Sequence, residues 1–413
     1  MAYKVSVIVE VIKNKKKLKQ TIKSLKAQTL NFKEDIQVIF LADDKVKEDY
    51  VQFCEEYAEV LGKHAVFMRK PDFSQIEGAW INCLQEGQEW TPTVFEKVVQ
   101  TTEETVDDID FVLEKYKEAT ERTVLEKRYE FVLNEMEKFQ DEFGKYIFSR
   151  KFDKELETIL QTNEKLEVMY GLTVILTKAE QMVILQREQL VGKRKYEKKE
   201  KDWYFTKLPA FRERMQQLKI PLSKGRKEQV DLAFMTKLSE SMKDKVENLL
   251  TDEEIKEYER WLKESLDELD DAVINRATMN ASTRRYAFSL KTGKDMAGEV
   301  VCRNGIFYYD NLMFYNIRSS DSFMVQADEE DEHRIIGTSY HPLQEEQMRF
   351  YLTDGVGEYP FVYIEDGQKV YKCLKHVVRK ERRYECILPA EIKSAALHLE
   401  CIYMGRYVTC LEG

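Results

Sequence analysis

Seven cysteines and five histidines are all that the 413 residues offer toward a disulfide framework or a nitrogen–sulfur metal site, and neither set clusters. No two cysteines form a CxxC pair, their number is odd, and the histidines stand far apart at 64, 333, 341, 376 and 398. That is the pattern of reduced thiols and it excludes a zinc site of ordinary spacing. Long apolar runs are also lacking. The first, Val5 to Ile12, is interrupted by Ser6 and Glu10 and is too short to span a bilayer. Lysines follow it rather than a small-residue cleavage site, so neither a transmembrane segment nor a secretory leader is expected. The expected location is the cytosol, with the inner face of the membrane as the alternative. Nor is there a basic excess: 65 Lys and Arg against 75 Asp and Glu give a net charge of −10, which excludes nucleic acid as an expected partner. There is no P-loop, no Rossmann glycine fingerprint, no hydrolase elbow and no internal repeat.

What is present is material for a large core, 43% hydrophobic and 11% aromatic, in a chain long enough for about three domains. The first hundred residues alternate in period. Val5, Val7 and Val9 lie in a β-branched run, Leu18, Ile22 and Leu25 follow at helical spacing, and Ile36 to Leu41 is a second buried strand. Val51, Cys54, Ala58 and Leu61 give a second helix stripe ended by Gly62, and His64 to Met68 a third strand. This order implies a parallel α/β sheet, in which ligands bind at the carboxyl ends of the strands. From Thr91 to about Asn280 the pattern reads as mainly helical. Thr251-Asp252-Glu253-Glu254 is a capping box that opens a helix with the stripe Ile255, Tyr258, Leu262, Leu266, Leu269 and Val273. From about Val300, short apolar runs separated by Gly, Asp and charged turns predict an antiparallel β-sandwich. The expected division is residues 1–235, a helical segment 236–297, and a sandwich 298–413.

Two ungapped segments carry a family resemblance. VSVIVEVIKNKKKLKQTIKSLKAQT (5–29) and IQVIFLADDKVKED (36–49) resemble the opening of family 2 glycosyltransferases of the GT-A fold, whose pattern is VSVIIPVYNxxxYLxxxLxSLxxQT and then a strand ending VDDGSxD. EWTPTVFEKV (89–98) and DDIDFV (107–112) resemble the stretch on the C-terminal side of that family's metal motif. KDWYFTKLPAF (201–211) and the capped helix with DELDDAVI look like a branch fused to CDP-glycerol glycerophosphotransferases, which build teichoic-acid-like surface polymers. The resemblance implies a nucleotide-sugar-binding sheet domain, a nucleotide-sugar donor, a polymer acceptor and a partner transferase.

The same resemblance marks what has changed. The family's Pro-Val-Tyr-Asn loop is here Glu10-Val11-Ile12-Lys13, and its VDDGS is Leu41-Ala42-Asp43-Asp44-Lys45. Asp43 and Asp44 are the nucleotide-binding candidates. One reading has Asp43 accept a uracil N–H, the other makes the pair an Asx turn closing a strand. Gly78-Ala79-Trp80-Ile81-Asn82-Cys83 reads as a G-x-x-x-A-R-N-like segment that keeps Asn82, a third nucleotide-binding candidate, and loses the arginine. The strand and Asp-x-Asp expected next, which would hold a divalent ion against the diphosphate, read as deleted. Glu86 and Glu89 are either surrogates or solvated loop acids. The carboxylate base, which the family takes from a Glu-Asp pair opening a helix, finds its nearest candidate in Glu167 of Lys165–Tyr170, against the plain alternative of an exposed helix glutamate. The basic run Lys193–Lys201 reads as a phosphate or lipid-headgroup grip or as a solvated helix face, Trp203-Tyr204-Phe205 as core anchors, and Cys54 and Cys83 as packing residues on helices.

Three altered sites favour a degenerate protein that binds an acceptor, nucleotide or partner enzyme without transferring sugar. Such a protein needs no cofactor. An active inverting transferase using a displaced carboxylate, with manganese or magnesium as its cofactor, is the second reading, and a purely structural module the third.

Overall fold

The computed structural model describes residues 3–103, 109–115, 121–124, 143–186, 189–277, 279–293, 300–303, 306–309, 312–316, 323–328, 331, 333–339, 348–392, 397–403 and 406–409. Asp107 and Asp108 of the DDIDFV stretch and most of the 328–332 acidic run lie outside the described residues. The chain divides into two compact units, Met1–Phe234 and Met235–Gly413.

In the first unit, β1 (Val5–Val11) is followed by α1 (Lys15–Lys26), β2 (Ile36–Ala42), α2 (Glu48–Leu61), β3 (Ala65–Met68), β4 (Trp80–Gln85), β5 (Glu89–Trp90) and α3 (Val94–Glu103). Then come β6 (Phe111–Lys115), β7 (Glu121–Val124), β8 (Tyr146–Ser149), α4 (Asp153–Leu160), α5 (Lys165–Lys178), β9 (Gln181–Gln186), β10 (Leu190–Val191), α6 (Leu208–Lys219) and α7 (Lys224–Met242). Eight strands form one sheet in the order β3-β2-β1-β4-β8-β6-β9-β7, while β5 pairs with β10 in a two-stranded ribbon. The strand alternation of β1 sorts its side chains to opposite faces. Val5, Val7, Val9 and Val11 pack against Leu18, Ile22 and Leu25 of α1 and Val51 and Cys54 of α2. Ile8 faces the other way, onto a core that includes Leu156 and Ile159 of α4 and Val168, Leu172 and Ile175 of α5. β1 is thus packed on both faces, which accounts for the predominance of apolar residues in it.

The parallel sheet expected from the sequence is present in β3-β2-β1-β4. Beyond β4 the sheet is mixed, because β8 runs antiparallel to both β4 and β6, and β7 antiparallel to β9. The expectation of a mainly helical stretch after Thr91 is corrected by β6 to β10. Four of those five strands are five residues or fewer, too short to impose a period on their surroundings. Cys83 likewise lies on β4, not on a helix.

The second unit opens with α8 (Asp252–Asp267), α9 (Asp271–Arg276) and α10 (Ala281–Thr292). The capping box forms as read: Glu254 N donates to Thr251 Oγ1, and Thr251 N to the Glu254 carboxylate. Leu269 and Val273 leave α8 because Asp270 starts α9 as its N-cap. The strands β11 (Val300–Arg303), β12 (Ile306–Tyr309) and β13 (Leu312–Asn316) form one antiparallel sheet. β14 (Phe323–Ala327), β15 (Arg334–Ser339), β16 (Met348–Thr353), β17 (Glu358–Pro360), β18 (Val362–Cys373), β19 (His376–Ile387), β20 (His398–Tyr403) and β21 (Arg406–Thr409) form two more, β14-β15-β19-β18 and β17-β16-β20-β21. Phe323 of the first stacks on Phe350 of the second at 4.0 Å between centroids, and Tyr384 closes the same cluster. The ring of Phe323 has room because residue 337 is glycine; a Cβ there would lie 2.5 Å from it. This is the expected antiparallel sandwich.

Candidate functional site

β1 is flanked by β2 on one side and β4 on the other, so the chain order reverses beside β1 and the crevice at the carboxyl ends of these strands is the natural ligand position. Register places Glu10 opposite Leu41 of β2 and opposite Gln85 of β4. The row Leu41, Glu10, Gln85 is therefore the floor of that crevice.

The strand that read as deleted is present: it is β4 itself, and Asn82 belongs to it. Its end, Gln85-Glu86-Gly87-Gln88, stands directly ahead of Glu89-Trp90-Thr91-Pro92, where the resemblance would put the metal-holding carboxylates. Each polar side chain there serves the protein's own backbone. Gln85 donates through Nε2 to Lys195 O at 3.1 Å and accepts from Lys195 N at 2.7 Å. Gln88 Oε1 accepts from Gln85 N at 2.8 Å. Glu86, only 7% exposed, is neither a solvated loop acid nor a free ligand. Its carboxylate accepts from the backbone N–H groups of Ile12, Lys13 and Asn14 at 3.0, 3.1 and 3.0 Å and from the Tyr50 hydroxyl at 2.7 Å. Burial, reinforced by that bond to Glu86, pushes the Tyr50 phenol well above its ordinary range. Burial and the charge of Glu86 push the Cys54 thiol up to about 12, which keeps it protonated and unreactive.

Over this floor runs the segment 192–197. Arg194, with its side chain 1% exposed, forms an ion pair with Glu10: Nη1 donates to Oε1 at 2.7 Å and Nη2 lies 2.6 Å from Oε2. Its guanidinium lies 5.3 Å from the Phe143 ring and 5.5 Å from the Tyr196 ring. Burial pushes the Glu10 carboxyl up while the guanidinium pulls it down. Gly192 has φ +94°, and a Cβ there would fall 2.5 Å from Gly87 O, so only glycine lets this segment lie against the β4 loop. The basic run Lys193–Lys201 is thus mostly an extended strap with one buried arginine, not a helix face.

The sequence-derived candidates are not brought together. Asp43 and Asp44 are exposed at the end of β2, where Asp43 Oδ1 accepts from Lys45 N at 2.7 Å, the Asx turn that leads toward α2. Asn82 is fully buried: Nδ2 donates to Gly144 O and Tyr146 O, and Oδ1 accepts from Trp90 Nε1. It ties β4 to β8 and has no surface to offer a nucleotide. Glu167 sits in the first turn of α5, where both its carboxylate oxygens accept from Arg214 Nη1, at 2.5 and 2.7 Å. The helix has Glu164, bonded to Lys207 at 2.9 Å, as its N-cap and opens on Lys165. Trp203 and Tyr204 are buried, as expected of anchors. A cleft of about 330 Å³ beside them is lined by Glu197, Lys198, Glu200, Asp202, Trp203 and Lys207.

A divalent ion at the diphosphate position requires hard anionic oxygens. Two neutral amides and one carboxylate already held by four donors do not fit it. Among the described residues no three His, Cys, Asp or Glu side chains form a metal-binding group, and no helix is long and apolar enough to cross a membrane. Reading Gln85–Gln88 without a gap against Glu89–Pro92 would have located this site. No local signal points to Arg194, which lies 184 residues from Glu10.

No family model and no curated protein matches the chain. Solved structures do. A crystal structure of S. aureus TarS superposes with a TM-score of 0.57 at 14% identity, covering 98% of this chain and 77% of that one. The TarS fragment 1–349 has been solved with UDP (TM-score 0.49, 14% identity, 75% and 98% covered). It has also been solved with UDP-GlcNAc (0.48, 15%, 71% and 88%). The likeness to the first of these structures establishes the class of fold: a GT-A-like sheet domain followed by a β-rich C-terminal part.

Proposed function

We propose that this chain is a glycosyltransferase-like protein of bacterial surface-polymer assembly, of the teichoic-acid type, that no longer transfers sugar and acts as a binding or scaffold component in the cytosol. The observation that carries the reading is the end of β4, where Gln85, Glu86 and Gln88 are bound to the protein's own backbone instead of standing free for a metal ion. The likeness of 201–211 and of the capped helix to the glycerophosphotransferase-linked branch supports the polymer context and a partner transferase.

The test is release of UDP or CMP from UDP-sugars and CDP-glycerol by the full chain, with manganese or magnesium and with polymer acceptors. The reading predicts no release above the protein-free control. Turnover that disappears in Glu167→Gln would replace it with an active inverting transferase whose base is Glu167.

A further inference from the structure

The crevice at the β1 and β4 strand ends is not an open site that merely lacks ligands for a metal; the chain fills it. Three contacts from one short segment reach its floor. Arg194 pairs with Glu10 at the end of β1, the Lys195 backbone is bonded in both directions by the Gln85 amide at the end of β4, and Gly192 O accepts from Gln88 Nε2 at 3.5 Å. Both ends of the segment are tethered. β10 pairs with β5 just before Gly192, and Glu197 bonds Lys45 at 2.5 Å just after. The buried guanidinium is also enclosed by the Phe143 and Tyr196 rings. A cation carried into an interior site is costly unless an opposite charge meets it; here the Glu10 carboxylate does so at 2.6 Å, with one hydrogen bond at 2.7 Å and two rings beside the guanidinium.

We propose that residues 192–197 are an internal plug of the crevice, anchored by Arg194, which excludes a nucleoside diphosphate until the segment is displaced. This rests on the reading of the crevice as a former nucleotide-sugar site and adds that its shape survives beneath the plug. The physical consequence is a tax on binding: a ligand that needs the open form has its apparent affinity reduced by the fraction of molecules that are open.

The experiment titrates UDP into the 413-residue chain, without metal, by calorimetry. It compares the native protein with Arg194→Ala, and with Glu10→Gln/Arg194→Ala, in which no buried charge is left alone should the single variant fail to fold. Circular dichroism confirms folding of each. Removing the anchor is expected to strengthen UDP binding by at least about tenfold over the native chain. Trypsin is expected to cut faster at Lys193, Lys195 and Lys198. Native protein that binds UDP as tightly as the folded variants overturns the plug, and so do folded variants that bind no UDP. Transfer activity is a separate readout: turnover by the native chain would overturn the proposed function, whereas UDP binding by an opened variant without turnover leaves it standing.

Discussion

Glu86 and Arg194 bring opposite charges to neighbouring positions, and both are neutralised internally. Four donors converge on the Glu86 carboxylate and Glu10 faces the guanidinium. Removing one partner of a buried pair strands the other, whereas replacing both with apolar or neutral groups of similar volume is tolerated. Arg194→Ala is therefore expected to cost about 3–5 kcal/mol. Glu10→Gln/Arg194→Met should cost much less, with both read as changes in hydrogen exchange of the β1 and β4 amides. Equal losses in the two variants would mean that shape, not charge, holds the crevice. His64 supplies a pH prediction. It is 2% exposed, set edge-on against Phe32 at 4.8 Å, and burial holds its pKa below the ordinary value, with Lys33 and Lys26 adding to the effect. The unfolded chain then takes up the proton first. The stability contributed is complete above the unfolded value of about 6.5 and is lost as pH falls through the lower folded pKa. The thermal midpoint should decline on acidification through that window, and His64→Phe should flatten the decline; an unchanged slope would contradict the assignment. At this scale the sequence is a poor guide. Asp43 and Glu167 are visible as residue types, but the groups that define the crevice are paired across 110 and 184 positions.

At the scale of elements, what is legible is what long amphipathic periods encode. α1, α2 and α8 and the strands β1 and β2 follow from their apolar spacing, and the Thr251 capping box forms as its four residues dictate. Thr251→Ala should cost about 1 kcal/mol, seen as a lower midpoint in urea for the second unit. No change would place the start of α8 under tertiary control instead. β6, β7, β8 and β10 escape the sequence reading because two to five residues cannot show a period. β4 escapes it for another reason: with Asn82 and Gln85 in the strand and no aspartate after it, its sequence looks like the loop ahead of an absent strand. The strap beyond β10 depends on Gly192. Gly192→Ala meets both a positive φ and the Gly87 carbonyl, and should speed tryptic cleavage between Lys193 and Lys201 without altering the midpoint of the second unit. Unaltered cleavage would show that the strap is held elsewhere.

At the scale of the whole molecule, a GT-A-like sheet domain and a β-sandwich are built, and the function proposed above treats the end of β4 as structural rather than as a place for transfer chemistry. The sheet needs only alternation and burial, which many sequences satisfy, whereas a diphosphate site needs particular carboxylates left free, and here the strand end has none. Turnover assays depend on choosing the right donor and acceptor; metal binding does not. The most direct measurement is therefore calorimetric titration of manganese into the 413-residue chain, alone and with UDP. The account predicts no stoichiometric heat in either case. A stoichiometric micromolar site that is lost in Asp43→Ala or Glu86→Gln would contradict it.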